Sequence, residues 1–61
     1  SVKDKDEMLA KAQAKIENER KEMETSIQGQ MSDLIIMGAE KIIGKDLSDD
    51  SHERIIEGMA K

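Results

Sequence analysis

The stretch Ala12-Gln13-Ala14-Lys15-Ile16-Glu17-Asn18-Glu19-Arg20-Lys21-Glu22-Met23-Glu24-Thr25-Ser26-Ile27 decides the fold. Most of its residues are good helix formers, and its apolar side chains return every eleven positions. Ala12 and Met23 begin a row that continues to Leu34. Ile16 and Ile27 begin another that continues to Gly38. Leu9, Met31 and Ile42 share a third row, in which Arg20 fills the slot after Leu9. Eleven residues in three turns is about 3.67 per turn, slightly above the straight α-helix, so such a stripe drifts right-handedly around the rod. Leu9, Ala12, Ile16, Met23, Ile27, Met31 and Leu34 thus form a narrow apolar line on a charged helix. A line of this kind without an intramolecular partner implies association with another helix, and these seven residues are the expected dimer seam.

A heptad reading competes with this one. Leu9, Ile16, Met23 and Met37 are related by sevens, but Gln30 interrupts them. The row Gln13, Arg20, Ile27, Leu34 is polar in its first half. Eleven-residue spacing keeps more apolar residues on the seam, with a mixed or straightened coil as the alternative.

Outward from this stretch, helix formers run from about Met8 to Ile43 without a proline. A helix of roughly 40 residues is about 60 Å long. Glu7 with Lys11 and Glu17 with Lys21 are spaced to form ion pairs, each contributing about 0.2–0.5 kcal/mol. Thr25, Ser26 and Gly29 weaken the middle of the helix. Gly29 reads as an exposed helical position, with a hinge or a close backbone approach as the alternative. Gly44 suits the left-handed residue that ends a helix, and Lys41 and Lys45 complement the helix dipole. Ser48 then suits an N-cap, with Asp49 and Asp50 in the following turn. A second helix is expected over about Asp49 to Ala60, with Ile55, Ile56, Met59 and Ala60 on one side and Leu47 packed beneath. The fold class is therefore all-α: one long coiled-coil-forming helix in residues 1–44, then a short C-terminal helix in residues 45–61. The short helix can cover only the end of the long one, leaving everything before about Met31 without a partner. Leu34, Ile35, Ile36, Met37, Ala39, Ile42 and Ile43 surround most of the long helix near its end. They suit both a small core with the second helix and a docking surface for another protein.

Composition narrows the function. The chain has 61 residues, 39% of them charged, and no Phe, Trp, Tyr, Cys or Pro. It can hold only one small domain and lacks the staples or aromatic bulk that small domains use. A net charge of −4 with interspersed signs favours neither nucleic acid nor an anionic membrane surface. The longest apolar run, Leu34 to Ala39, is far short of the roughly 20 residues that cross a bilayer. Ser1-Val2-Lys3-Asp4-Lys5-Asp6 has no apolar core of a signal peptide and reads as a cut end within a longer chain.

Little here suggests chemistry. Gly38, Gly44 and Lys45 have the wrong spacing for a phosphate-binding loop, and Asp46 stands where Ser or Thr is needed. His52 lies near Asp49, Asp50, Glu53 and Glu57, but one imidazole among scattered carboxylates reads as a first-turn residue on a solvated helix. No loop matches a calcium site, and no cofactor is expected. The carboxylates have no apolar pocket to tune them for acid–base work, so the chain reads as non-catalytic. Met23 and Met31 fall on the stripe and read as seam packing.

Ala12-Gln13-Ala14-Lys15-Ile16-Glu17-Asn18-Glu19-Arg20 resembles the alanine- and charge-rich coil of the peripheral-stalk b subunit of ATP synthases. Leu34-Ile35-Ile36-Met37-Gly38-Ala39-Glu40-Lys41-Ile42-Ile43 resembles that subunit's C-terminal segment more specifically. Leu47-Ser48-Asp49-Asp50-Ser51-His52 and Ile55-Ile56 resemble its ending. The resemblance implies a stator that resists rotor torque and links the membrane sector to the catalytic head. It implies a second b-type subunit along the seam, in a homo- or heterodimer, and a delta subunit at the C-terminal end. Ile42, Ile43, Leu47, Ile55, Ile56 and Met59 would meet that delta subunit. It further implies the cytoplasmic portion of a bacterial plasma-membrane complex, here without the N-terminal membrane anchor and with no membrane contact of its own. Gln28 and Gly29 depart from the family's charged or alanine-rich helix. A generic coiled-coil adaptor or spacer of an unrelated assembly is the competing reading.

Overall fold

The computed structural model describes all residues, Ser1–Lys61. Helix α1 spans Val2–Ile43 and helix α2 spans Asp49–Met59. The molecule measures 64 × 16 × 15 Å, so its length is that of α1 alone. No helix is long and apolar enough to cross a membrane.

Helix α1 begins about six residues earlier than its first apolar periodic residues suggested. Ser1 caps it, its Oγ accepting a hydrogen bond from the Asp4 N–H at 3.3 Å. Asp4 also places a negative charge in the first turn, where the dipole favours it. The helix runs uninterrupted through Thr25, Ser26 and Gly29. Nothing lies within 4 Å of where a Gly29 Cβ would stand, so Gly29 is the exposed helical position and not a hinge. Thr25 is accommodated by donating its Oγ1 hydrogen to the Lys21 carbonyl at 3.0 Å.

The end of α1 follows the glycine expectation. Gly44 has φ 75° and ψ 18°, and its N–H donates to the Glu40 carbonyl at 2.8 Å. That left-handed turn ends the helix and reverses the chain. The Leu47 N–H then donates to Glu40 Oε2 at 2.8 Å, so one side chain of α1 holds the linker against the rod. Ser48 caps α2, its Oγ accepting from the Ser51 N–H at 3.2 Å, with Asp49 and Asp50 in the first turn.

Helix α2 folds back antiparallel to α1. Its start lies beside Glu40 and its end beside Gln28, whose Nε2 donates to the Met59 carbonyl at 2.9 Å. Ser32 and Ile36 are the two buried residues of the molecule, at 4% and 7% exposure. Ser32 Oγ is 3.0 Å from both the Gln28 carbonyl and the Met59 sulfur, so burial leaves its hydroxyl partnered. Leu47, Ile55, Met59 and Ala39 are half-buried around them. Ile56 and Ala60, expected on the same inward side as Ile55, are exposed instead. Ile55 and Met59 are four apart and share a face, which Ser51 and His52 complete. Burying one isoleucine contributes only about 1.5–3 kcal/mol, so α2 is a lightly held arm.

Two glycine substitutions separate these elements. Gly29→Ala should raise α1 stability by up to about 1 kcal/mol, because its site is open and helical. Gly44→Ala should cost about 1–2 kcal/mol through its positive φ. Circular dichroism melts with amide exchange in α2 read both, and a neutral Gly44→Ala would rule out the turn as the determinant of the hairpin.

Candidate functional site: the uncovered face of the long helix

The expected seam residues Leu9, Ala12, Ile16, Met23, Ile27, Met31 and Leu34 all lie on α1, and every one is exposed. Ile16 and Leu34 are 66% and 68% exposed. The reason is rotational. Ile36, the centre of the hairpin contact, follows Leu34 by two residues, about 200° around the axis. It follows Ile27 by nine residues, about two and a half turns. The face that receives α2 therefore stands opposite the apolar line, and the short helix covers none of it. Ile27, Gln30, Met31, Asp33, Leu34 and Met37 line an open groove on the free side, all of them from α1. This continues the line beside the segment that α2 occupies from behind.

The surface area is that of an extended rod. The chain exposes 5484 Å². A compact monomer of its mass, 6.8 kDa, exposes about 3950 Å². The excess of about 1500 Å² is what the extended shape, 64 × 16 × 15 Å, exposes beyond a compact body.

Arg20, the polar member of the Leu9–Met31 row, carries its own counterions. Its guanidinium donates from Nε and Nη2 to Glu17 at 3.0 and 2.6 Å, and from Nη1 to Glu24. The hydrogen bond to Glu17, then the nearby Glu24 charge, raise the Arg20 pKa. The same hydrogen bond holds Glu17 below its ordinary value of 4.5. The expected pairs Glu7–Lys11 and Glu17–Lys21 do not form. Arg20 reaches Glu17 with a bidentate fork that an ammonium lacks, and Lys21 is left without Glu17.

The residues expected to meet a delta subunit do not form one surface here. Ile42 is 87% exposed, and Ile43 and Ile56 are also exposed. Leu47, Ile55 and Met59 are half-buried in the hairpin. His52 is not simply a solvated first-turn residue, because it faces Glu40 across the hairpin with Nε2 3.7 Å from Oε2. That nitrogen is shielded and makes no hydrogen bond. No cluster of three His, Asp or Glu side chains is arranged to hold a metal ion.

Of the hairpin-facing row, sequence reasoning offered Ile36, Ala39 and Ile43 for a small core with the second helix but missed Ser32. Gly29, Ser32, Ile36, Ala39 and Ile43 recur at intervals of three and four, a second helical face of small and branched residues. The stronger eleven-residue signal lies on the other side of the helix.

The structure is a long helical rod with one face covered by a short helix and one left uncovered. The comparisons give that rod a family. The chain is 32% identical over 53 residues to ATP synthase subunit b of Dichelobacter nodosus (strain VCS1703A), covering 87% of this chain and 34% of that protein. It is 39% identical over 49 residues to ATP synthase subunit b of Alkaliphilus oremlandii (strain OhILAs), covering 80% and 29%. These similarities identify the chain with the ATP synthase subunit b family, and it spans about a third of the length of the curated relatives it matches. No family model matches the chain, and no solved structure matches it.

Folding lowers the Glu17 pKa, so its contribution to helicity is complete above 4.5 and is lost as the pH falls through the lowered value. Arg20→Gln should return the Glu17 midpoint, read from carboxyl carbon chemical shifts, toward 4.5. An unchanged midpoint would exclude the guanidinium as the cause. His52→Leu should preserve or strengthen the hairpin, since it removes a shielded nitrogen that makes no hydrogen bond. Loss of α2 amide protection in that variant would instead make the His52–Glu40 contact the main tie.

Proposed function

We propose that this chain is a peripheral-stalk element of a rotary proton-translocating ATP synthase, a stator part that resists rotor torque between membrane sector and catalytic head. Similarity to subunit b over most of the chain carries the reading. A rod 64 Å long with an unpartnered apolar line suits the role mechanically. A helix transmits load along its axis through its own backbone hydrogen bonds. A paired helix resists bending better than a single one, and pairing would cover the stripe.

In this reading, residues 1–44 form the stalk helix. A second b-type subunit lies along Leu9, Ala12, Ile16, Met23, Ile27, Met31 and Leu34. Residues 45–61, together with Ile42 and Ile43, form the region that meets the delta subunit and the catalytic head. Ile56 and Ile42 offer apolar contacts without rearrangement, whereas Leu47, Ile55 and Met59 become available as the lightly held arm loosens. The chain itself holds no catalytic role. It works on the cytoplasmic side of a bacterial plasma membrane, in a complex anchored by parts other than these residues.

Deleting Ser48 to Lys61 should abolish capture by an isolated ATP synthase delta subunit while most helicity persists. Full binding by the truncated rod would place the docking site elsewhere. Ile27→Asp should lower helicity and shift sedimentation toward monomer, because a buried unpaired carboxylate is costly. Unchanged self-association would show that Ile27 faces water in the assembly.

A further inference from the structure

His52 stands in the hairpin without a hydrogen bond to its ring, at a place where a charged ring would have a partner. Its backbone N–H donates to the Ser48 carbonyl at 3.0 Å, which fixes the residue in the first turns of α2. Its Nε2 is shielded and unbonded, and Glu40 Oε2 stands 3.7 Å away on α1. That separation is too long for a hydrogen bond but close enough for an ion pair. Oε2 already accepts from the Leu47 N–H at 2.8 Å, and a carboxylate oxygen can take a second donor. A neutral imidazole closes on Glu40 at a cost, because its nitrogen gives up water and gains no bond. An imidazolium gains a charge-assisted one. Glu40 holds the only carboxylate within 4 Å of the ring nitrogens. Asp46 of the linker and Asp49, Asp50 and Glu53 of α2 lie farther off, and Asp50 is paired with Arg54 at 2.9 Å. Lys41 and Lys45, the cations nearest Glu40 in sequence, form no ion pair with it. The positive end of the α2 dipole opposes a charged ring.

The geometry points to a proton-operated latch, in which protonation of His52 draws Nε2 onto Glu40 and shuts the arm, and loss of that proton loosens it. In the latched form one carboxylate holds both the linker and α2, through the Leu47 N–H and the His52 Nε2–H. Closure thus takes up a proton. It is strengthened below the ordinary histidine range, and the gain is lost as the pH rises through that range. What the latch controls is display: Leu47, Ile55 and Met59 stay half-buried while it is shut. The device is internal to the chain and does not depend on the assembly role proposed above.

The test compares the 61-residue chain at about pH 7.5 and about pH 5.5, where carboxylates remain ionised. His52 is the only histidine, and the Ser1 amine lies at the far end of α1. The closed-to-open ratio is read from the Met59 methyl resonance and from α2 amide protection corrected for intrinsic exchange. It should rise about two- to fivefold at the lower pH, the range of one partly exposed ion pair. His52→Leu should make the ratio independent of pH. Glu40→Gln keeps an oxygen for the Leu47 N–H but removes the charge, and should abolish or reverse the rise. Asp49→Asn removes the carboxylate one turn before His52 on α2 and should retain it. A ratio that is flat or falls at the lower pH in the parent would overturn the inference. So would a rise that survives His52→Leu or Glu40→Gln. If Glu40→Gln frees the arm at both pH values, Asp49→Asn still decides, because loss of the rise there would make Asp49 the counterion and refute the latch.

Discussion

An apolar line along a helix of 42 residues cannot be buried by the chain that carries it. Helix α2 has 11 residues, about 17 Å at 1.5 Å per residue, and reaches back only to the level of Gln28. Even there it packs on the other side. The hydrophobic effect therefore acts on this molecule chiefly from outside: the largest apolar gain open to it is association. The lack of an extensive core follows from that constraint.

Within the chain, stability is local. Capping at Ser1 and Ser48, the left-handed turn at Gly44, and the Arg20 fork to Glu17 and Glu24 each satisfy groups a few residues away. The tertiary contact is small, a few hydrogen bonds around one buried and four half-buried apolar side chains. Glu40 ties down the linker, Gln28 holds the Met59 carbonyl, and Ser32 sits against the Met59 sulfur around a single buried isoleucine. A contact of this size fixes the arm's direction at little energetic cost to opening it. Such low local stability is the usual property of a segment that rearranges on binding.

Much of the architecture was legible beforehand because its causes are local. Helix formers without proline, Gly44 as terminator and Ser48 as cap each act within a few residues, so their elements appear where the sequence places them. The ion pairs were less legible. Spacing alone offered Lys21 to Glu17, whereas side-chain geometry favoured the Arg20 fork. The inward face of α2 was only half legible: Ile55 and Met59 are half-buried, while Ile56 and Ala60 stay exposed at the edge of the contact beside Gln28 and Ser32. With four apolar candidates on a short helix, periodicity allows more than one inward face.

What the sequence determined alone was the all-α rod, its C-terminal end at Gly44 and the narrow apolar line, because helix propensity, capping and eleven-residue spacing are properties of neighbouring residues. Only the tertiary structure decided which side of α1 receives the arm. That choice depends on the angle at which Gly44 and Leu47 return the chain, and on Ser32 and Ile36 together offering a face where a second helix can pack. Both are relations between residues distant along the chain, and they leave the apolar line facing water.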